Sequence, residues 1–317
     1  MNENAQPVTM QSDAGPPPRV SVCMSVYNAQ RYLAAAVESV LAQTHRDFEL
    51  ICVNDGSTDR SLAMLQCYAM REPRMRVVTR GHAGVVRTAN DAIRMARGEY
   101  IARFDADDVS VPHRLATQVA YLDAHPQIIG VSNAVVATDP YGSPCGQYTP
   151  PADHADIDAS LMRGSVSVFP IQSSMIRRAA YWRVGGFRPL DPMDDVDLML
   201  RLAETGQLAN IEEPLCYYRR HFKSLCMTYY AEIRDRIEGV VHEAYERRGL
   251  AGRPTLAEIR PDLGENATRA QTLRAWACHA IHHSNRGVAL RHALAAMWRE
   301  PFSVLSWKVL AWSATVR

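Results

Sequence analysis

The feature that most constrains this chain is an alternation. Over the first half, short apolar runs give way to segments whose apolar residues recur at helical spacing, with polar turn residues between them. That pattern belongs to β-α-β units around a largely parallel sheet, whose strands are covered by the helices that connect them. Val20 to Val26 reads as a first strand, and Leu33, Ala36, Val37, Val40 and Leu41 mark an amphipathic helix. Strands over Phe48 to Val53, Met75 to Thr79 and Tyr100 to Phe104 continue the series, with a helix carrying Val85, Ala89, Ala92, Ile93 and Ala96 before the last of them. The fold class is therefore α/β.

The same reading carries further. Pro112 to His125 is a helix, Ile128 to Val136 a strand, Asp139 to Pro151 a Pro/Gly-rich loop, and Asp153 to Met162 a helix. Ile171 to Ile176, Asp194 to Glu204 and Leu215 to Tyr218 follow as strand, helix and strand, and from Cys226 on the pattern is helical, punctuated by Pro254 and Pro261. In an open α/β sheet, ligands gather at the carboxyl ends of the strands, where loops and helix N-termini converge on a rigid scaffold. Two acidic loops fall there. Asn54 to Asp59 follows the second strand, and Asp105 to Asp108 follows the fourth.

Bulk properties narrow the function. The 317 residues carry 35 basic against 34 acidic side chains, so no global field favours nucleic acid. The seven cysteines are dispersed with no C-x-x-C pair, which reads as reduced thiols and a cytoplasmic setting. Residues 1–18 are polar, end in Gly15-Pro16-Pro17-Pro18, and read as a disordered leader rather than a secretory signal. No run of about 18 apolar residues occurs to span a membrane. Gly81-His82-Ala83-Gly84 lacks the G-x-G-x-x-G order, which argues against NAD or FAD.

Asp105, Asp107 and Asp108 place three carboxylates within four positions, an arrangement that calls for an offsetting cation. Mg²⁺ or Mn²⁺, held by one or two carboxylates and completed by phosphate oxygens and water, is the economical answer, and a solvated acidic loop or helix cap is the plain alternative. Asp55 sits where a carboxylate could accept a hydrogen bond from a nucleobase imide or a ribose hydroxyl, or simply form a turn. Asp194 and Asp195 open a helix, where negative charge is favourable in itself and where a carboxylate could also act as a general base toward a hydroxyl. His221, after Tyr218-Arg219-Arg220, is a surface histidine or, beside a metal, a third ligand.

Taken together, these pieces closely resemble family-two glycosyltransferases of the GT-A fold. The resemblance rests on Val20-Ser21-Val22 with Tyr27-Asn28, Glu38-Ser39-Val40-Leu41-Ala42-Gln43-Thr44, Val53-Asn54-Asp55-Gly56-Ser57-Thr58-Asp59, Ala96 to Asp108, Asp194-Asp195-Val196-Asp197-Leu198 with Arg201, and Tyr218-Arg219-Arg220-His221. It implies a mixed, mostly parallel sheet flanked by helices over residues 19–225, with 226–317 as a helical C-terminal extension outside the resemblance. It also implies inverting transfer from a nucleotide-diphosphate sugar to a hydroxyl of a glycan or lipid-linked glycan, in bacterial polysaccharide or lipopolysaccharide assembly.

The roles it implies are these. Asp55 contacts the nucleobase, in a pocket lined by the backbone from Ser25 to Tyr27 and by Asn28, and Arg87 approaches the diphosphate. Asp105 and Asp107 serve the donor and a Mg²⁺ or Mn²⁺ ion, with Asp108 beside them and His221 completing the metal site. Asp195 is the catalytic base, with Asp194, standing where many relatives carry Glu, as the other candidate.

Two rival readings share some of these residues. A sugar-nucleotide nucleotidyltransferase would need a basic, Gly-rich phosphate loop near the N-terminus, and Val20 to Gln30 has none. A non-catalytic sugar-nucleotide or glycan-binding protein on the same fold would have no need of the full acidic set. At the C-terminus, Phe302, Leu305, Val309 and Trp312 fall on one helical face, so residues 300–317 either pack on the catalytic domain or touch the inner face of the cytoplasmic membrane.

Overall fold

The computed structural model describes residues 15–190, 193–222, 224, 230–255, 268–283 and 285–315. β1 (Val20–Val26), β2 (Phe48–Asp55), β3 (Met75–Arg80) and β4 (Tyr100–Arg103) form where the apolar runs predict them, linked by α1 (Leu33–Leu41), α2 (Ser61–Ala69) and α3 (Val85–Arg94). They pair in parallel in the order β3-β2-β1-β4. β2 is buried at every position, because both sheet faces are covered. Leu50 and Cys52 join one core with Val37, Leu65 and Leu115, while Ile51 and Val53 join the other with Ala92, Ile93 and Leu198. The period-two alternation of a strand sends successive side chains to opposite layers.

Beyond β4 the sheet becomes mixed. β8 (Met175–Arg177) lies antiparallel to β4, followed by β6 (Ile128–Thr138), β9 (Gln207–Arg219) and the two-residue β5 (Val109–Ser110). β7 (Pro144–Tyr148) pairs with β6 alone. The remaining helices are α4 (Arg114–Ala124), α5 (His154–Leu161), α6 (Arg178–Arg183), α7 (Asp194–Ala203), α8 (Tyr230–Arg247), α9 (Arg269–His282), α10 (Arg286–Arg299) and α11 (Val304–Thr315). Asp153 caps α5 by accepting from the Asp156 N–H, and Thr268 with Gln271 forms a capping box on α9.

Three stretches depart from expectation for local reasons. Ile171 to Ile176 is not one strand: a 3₁₀ turn at Ile171–Ser173 precedes β8, and the Ser174 hydroxyl donates to the Ile171 carbonyl at 2.8 Å, closing the turn. The Pro/Gly-rich loop contains β7, since Asp139 accepts from the N–H groups of Tyr141 and Ser143 and so folds the chain into a hairpin. Leu215 to Tyr218 is the end of the longer β9, whose register against β6 shifts near Pro214.

The C-terminal helices are anchored to this frame. Cys145 of β7 packs with Leu273, Trp276 and Ala296, and the buried His292 of α10 reaches the buried Asp139 carboxylate at 2.9 Å. No helix among the described residues is long and apolar enough to cross a membrane. Cys23, Cys52, Cys67, Cys145, Cys216 and Cys278 are free thiols; Cys226 lies outside the described residues.

Candidate active site

β1, β2, β3 and β4 end on one edge of the sheet. The chain runs outward from β1 through β2 to β3, then returns to place β4 on the other side of β1. That reversal opens a crevice at the carboxyl ends of β1 and β4, the usual ligand position in such a sheet. Tyr27 and Asn28 follow β1 there, and Phe104 to Asp108 follow β4.

The β1 and β2 ends are laced together. Asn28, the one non-glycine residue with positive φ (49°) among the described residues, accepts from the Thr58 N–H at 2.8 Å, while its own N–H donates to the Ser57 hydroxyl at 3.0 Å. Asp55 is buried and uses both carboxylate oxygens on the loop after β3. Oδ1 accepts from the Ala83 N–H at 2.9 Å and Oδ2 from the Gly84 N–H at 3.0 Å. A side chain at Gly56 would strike the His82 backbone nitrogen, its Cβ only 2.7 Å away, so glycine lets that loop close on Asp55. His82 lies 2.9 Å from Asp55 Oδ2 and stacks on the Tyr27 ring, centroids 4.2 Å apart. The result is an exposed aromatic ledge over an acidic floor. Ser25 is half-buried at the end of β1, and Arg87 stands exposed in the first turn of α3.

The acidic loop after β4 is drawn to the end of β9. Val109 and Ser110 pair antiparallel with Tyr217 and Cys216, which brings the residues before β5 alongside those after β9. Asp108 is fully buried, and its Oδ1 accepts from the Arg219 N–H at 2.8 Å. Arg219 also donates through Nε to the Asp107 carbonyl at 2.8 Å and lies over the Tyr32 ring. His221 Nε2 is 2.9 Å from Asp107 Oδ2.

Electrostatics set these carboxylates apart. Carboxylate oxygens of Asp105, Asp107 and Asp108 all lie within 4.8 Å of one another. Burial, and then the charges of Asp107 and Asp105, push the Asp108 carboxyl well above its ordinary value despite Arg219. Asp108 Oδ2 is buried with no hydrogen-bond partner. Asp105 lies on the floor of a cleft: its side chain keeps 35% of its surface open, yet crowding by protein raises its carboxyl, Arg103 pulls it down, and Asp107 raises it again. Three converging carboxylates, one with an orphaned buried oxygen, are the donor set that a small, hard divalent cation fits.

Arg103 binds the two acidic clusters into one site. Its guanidinium donates to Asp105 Oδ1 at 3.1 Å and rests over the Phe187 ring. Burial works against its charge, but Asp105, Asp194 and Asp195 outweigh that and hold it above the ordinary arginine value. Asp194 and Asp195 lie in the first turn of α7. Burial raises the Asp195 carboxyl above its ordinary value, the Val196 N–H and Arg103 oppose, and Asp105 adds to the rise. The third acid of that helix belongs elsewhere: Asp197 is buried between Arg188 and Arg201 and serves packing.

The edge thus collects Ser25, Tyr27, Asn28 and Asp55 on the β1 and β2 side, and Asp105, Asp107, Asp108, Asp194, Asp195 and His221 on the β4 side. Arg87, exposed on α3, makes no hydrogen bond or ion pair among the described residues. Arg103, Arg219, Tyr32 and His82 were not singled out from the sequence. Arginine inside an apolar strand directly before an acidic loop was the available signal for Arg103.

A crevice at the switch point, an acidic cluster fit for a cation and a second acid pair at the start of α7 agree with a transferase of the GT-A class. The family model for glycosyl transferase family 2 matches residues 21–185. EpsE of Bacillus subtilis (strain 168), whose glycosyltransferase name is itself provisional, is 34% identical over 67% of this chain and 78% of its own length. Chondroitin synthase of Pasteurella multocida (strain Pm70) is 27% identical over 64% of this chain, which matches 20% of that longer protein. Among solved structures, the mannosyltransferase PcManGT from Pyrobaculum calidifontis, in complex with GDP-Man and Mn²⁺, aligns with TM-score 0.55 at 20% identity, covering 98% of this chain and 87% of its own. S. aureus TarS 1-349 in complex with UDP-GlcNAc aligns with TM-score 0.56 at 15% identity, covering 89% of this chain and 92% of its own. The chain belongs to glycosyl transferase family 2, with the GT-A fold. It is a glycosyltransferase.

Proposed function

We propose that this enzyme transfers a sugar from a nucleoside-diphosphate donor to a hydroxyl of a glycan or lipid-linked glycan, with inversion at the anomeric carbon, in bacterial cell-surface polysaccharide assembly. One observation carries the reading: the cation-fit cluster of Asp105, Asp107 and Asp108 has an orphaned buried oxygen, and Arg103, hydrogen-bonded to Asp105, also feels the charges of Asp194 and Asp195. The relatives and neighbours give support, since EpsE and chondroitin synthase carry glycosyltransferase and glycan-synthase names, and PcManGT and TarS were solved with GDP-Man and UDP-GlcNAc.

In this reading Tyr27 and His82 offer a ledge for the nucleobase, and Asn28 holds the β1 end in place beneath it. Asp55 acts chiefly by fixing the loop from His82 to Gly84, with its charge at the floor of the base pocket. Arg87, free to swing from α3, meets the diphosphate. Asp105, Asp107 and His221 would hold Mg²⁺ or Mn²⁺, which would supply positive charge for the diphosphate leaving group. His221 already touches Asp107, so it can orient that carboxylate or share the ligand set. Asp108, pinned to the Arg219 backbone, keeps the acidic loop in register with β9.

Asp195 removes the proton of the acceptor hydroxyl as its oxygen attacks, and Asp194 beside it sustains the local field. A carboxyl raised above its ordinary value is, when ionised, a better base toward a hydroxyl. Direct displacement needs no covalent enzyme intermediate, so positioning and leaving-group stabilisation supply most of the acceleration. A lipid-linked acceptor would place the enzyme at the inner face of the cytoplasmic membrane.

A thermal-shift panel of sugar nucleotides, each with Mn²⁺, tests the donor class. A bound donor raises the melting temperature by mass action. Stabilisation by one nucleotide sugar, lost with a chelator, is the expected result; no response to any of them would count against the proposal.

A further inference from the structure

α11 is built inside out. It meets the rest of the chain through Ser306, Val309 and Ser313, spaced three and four apart on one stripe, whereas Val304, Leu305, Trp307 and Trp312 face outward. The expected grouping of Val309 with Phe302, Leu305 and Trp312 is thereby divided: Val309 packs on Ala277 and Ala293, and the other three are exposed. Phe302, in the turn between α10 and α11, is 98% exposed, and Trp298 near the end of α10 is 81% exposed. The Trp307 indole N–H donates to the Pro301 carbonyl at 2.8 Å, which ties Trp307 to that turn. A free surface of a water-soluble monomer rarely carries so many large apolar side chains side by side.

The segment that carries this patch is basic in sequence. From 268 to 315 the chain holds Arg269, Arg274, Arg286, Arg291, Arg299 and Lys308 against Glu300 as the single acid; Arg274 pairs with Glu300 and Arg291 with Asp139, and Arg299 and Lys308 are exposed. The whole chain has a formal net charge of only +1, so this basicity is local. Trp298, Trp307 and Trp312, with the exposed Arg299 and Lys308 next to two of them in the chain, match the makeup of a helix lying in a bilayer interface, aromatic rings at headgroup depth and cations toward anionic lipid. A second copy of the chain fits the patch less well, since a two-fold contact would set the same cationic surface against itself.

We propose that the α10–α11 turn and the outer face of α11 dock on an anionic lipid bilayer. The inference gives the lipid-linked acceptor a surface to arrive from, but docking itself needs neither donor nor turnover, so it stands or falls apart from the proposed reaction.

The test is co-sedimentation of the full chain with vesicles of phosphatidylcholine alone, or with about 30% phosphatidylglycerol added, without any sugar nucleotide. The chain is expected to pellet with the anionic vesicles, to remain in solution with the neutral ones, and to be released by high salt. Trp298→Ser combined with Phe302→Ser and Leu305→Ser changes exposed positions only, and should weaken binding roughly tenfold or more while circular dichroism stays unchanged. Arg299→Glu with Lys308→Glu offers a second route, weakening binding without removing an apolar side chain. Wild type that stays in solution with both vesicles overturns the proposal, as does equal pelleting of wild type and both variants. So does light scattering that finds a wild-type dimer converted to monomer by the serine variant, since the patch would then be a contact between copies.

Discussion

His221 Nε2 lies 2.9 Å from Asp107 Oδ2, although 114 positions separate the two residues. The contact follows from the short antiparallel ladder of β5 with β9, which folds the acidic loop against the Tyr-Arg-Arg-His segment. If this imidazole orients or shares the cation's ligand set, His221→Ala should raise the Mn²⁺ concentration for half-maximal donor turnover roughly 10–100-fold. A Mn²⁺ titration of nucleoside diphosphate release reads this; an unchanged titration with intact fold would make the pair merely structural.

Asp55 predicts a different split. Asp55→Ala leaves the N–H groups of Ala83 and Gly84 without their acceptor, an effect of about 1–3 kcal/mol in thermal unfolding. The loosened loop should show itself in KM for the donor more than in kcat, because the residue shapes the pocket rather than the transition state. Steady-state kinetics with varied donor separate the two.

Arg103 yields a pH prediction whose sign is set. Its charge pulls the Asp195 and Asp105 carboxyls down against burial. Arg103→Gln removes that pull, so both carboxyls rise further, and a base that must be ionised loses its charge at a higher pH. The acid limb of the kcat/KM profile should therefore move upward in pH relative to wild type. A profile that stays in place would separate Arg103 from the base.

Asp139 and His292 tie α10 to the end of β6. Burial opposes the Asp139 charge, but the hydrogen bond to His292 and the N–H groups of Ser143 and Tyr141 hold its carboxyl below the ordinary value. A depressed folded-state value contributes stability above the unfolded value, about 3.9, and loses it as pH falls through the folded one. Wild type should thus exceed Asp139→Asn by about 3 kcal/mol at neutral pH, and the gap should narrow in acid. Urea unfolding at a series of pH values gives the comparison.

Much of this arrangement is legible in the chain itself. β1 to β4 and their helices announce themselves through periodicity, because a sheet buried on both sides demands continuous apolar strands. The pattern puts Asp55 and Asp105 at strand ends and Asp195 at a helix start, while their roles, and any role for His221, come from the resemblance to the family's motifs. The two-residue β5 left no periodic trace, though it brings His221 to Asp107. β7 hid in a Pro/Gly-rich stretch whose hairpin depends on one Asp139 turn. Arg103 and Arg219 take their meaning from acids on distant elements, and the outward face of α11 depends on which stripe its neighbours cover. Such facts are tertiary and have no local signature.

The central claim is that this site breaks a nucleotide-sugar bond with a carboxylate base at α7. The direct measurement is nucleoside diphosphate release from the donor found in the thermal panel, with Mn²⁺ or with a chelator, by wild type and Asp195→Asn. Wild type should release product only with metal, and the variant should bind the donor as tightly while turning it over roughly 10²–10⁴-fold more slowly. Donor binding by both proteins with no release by either, or equal release by both, would contradict the account.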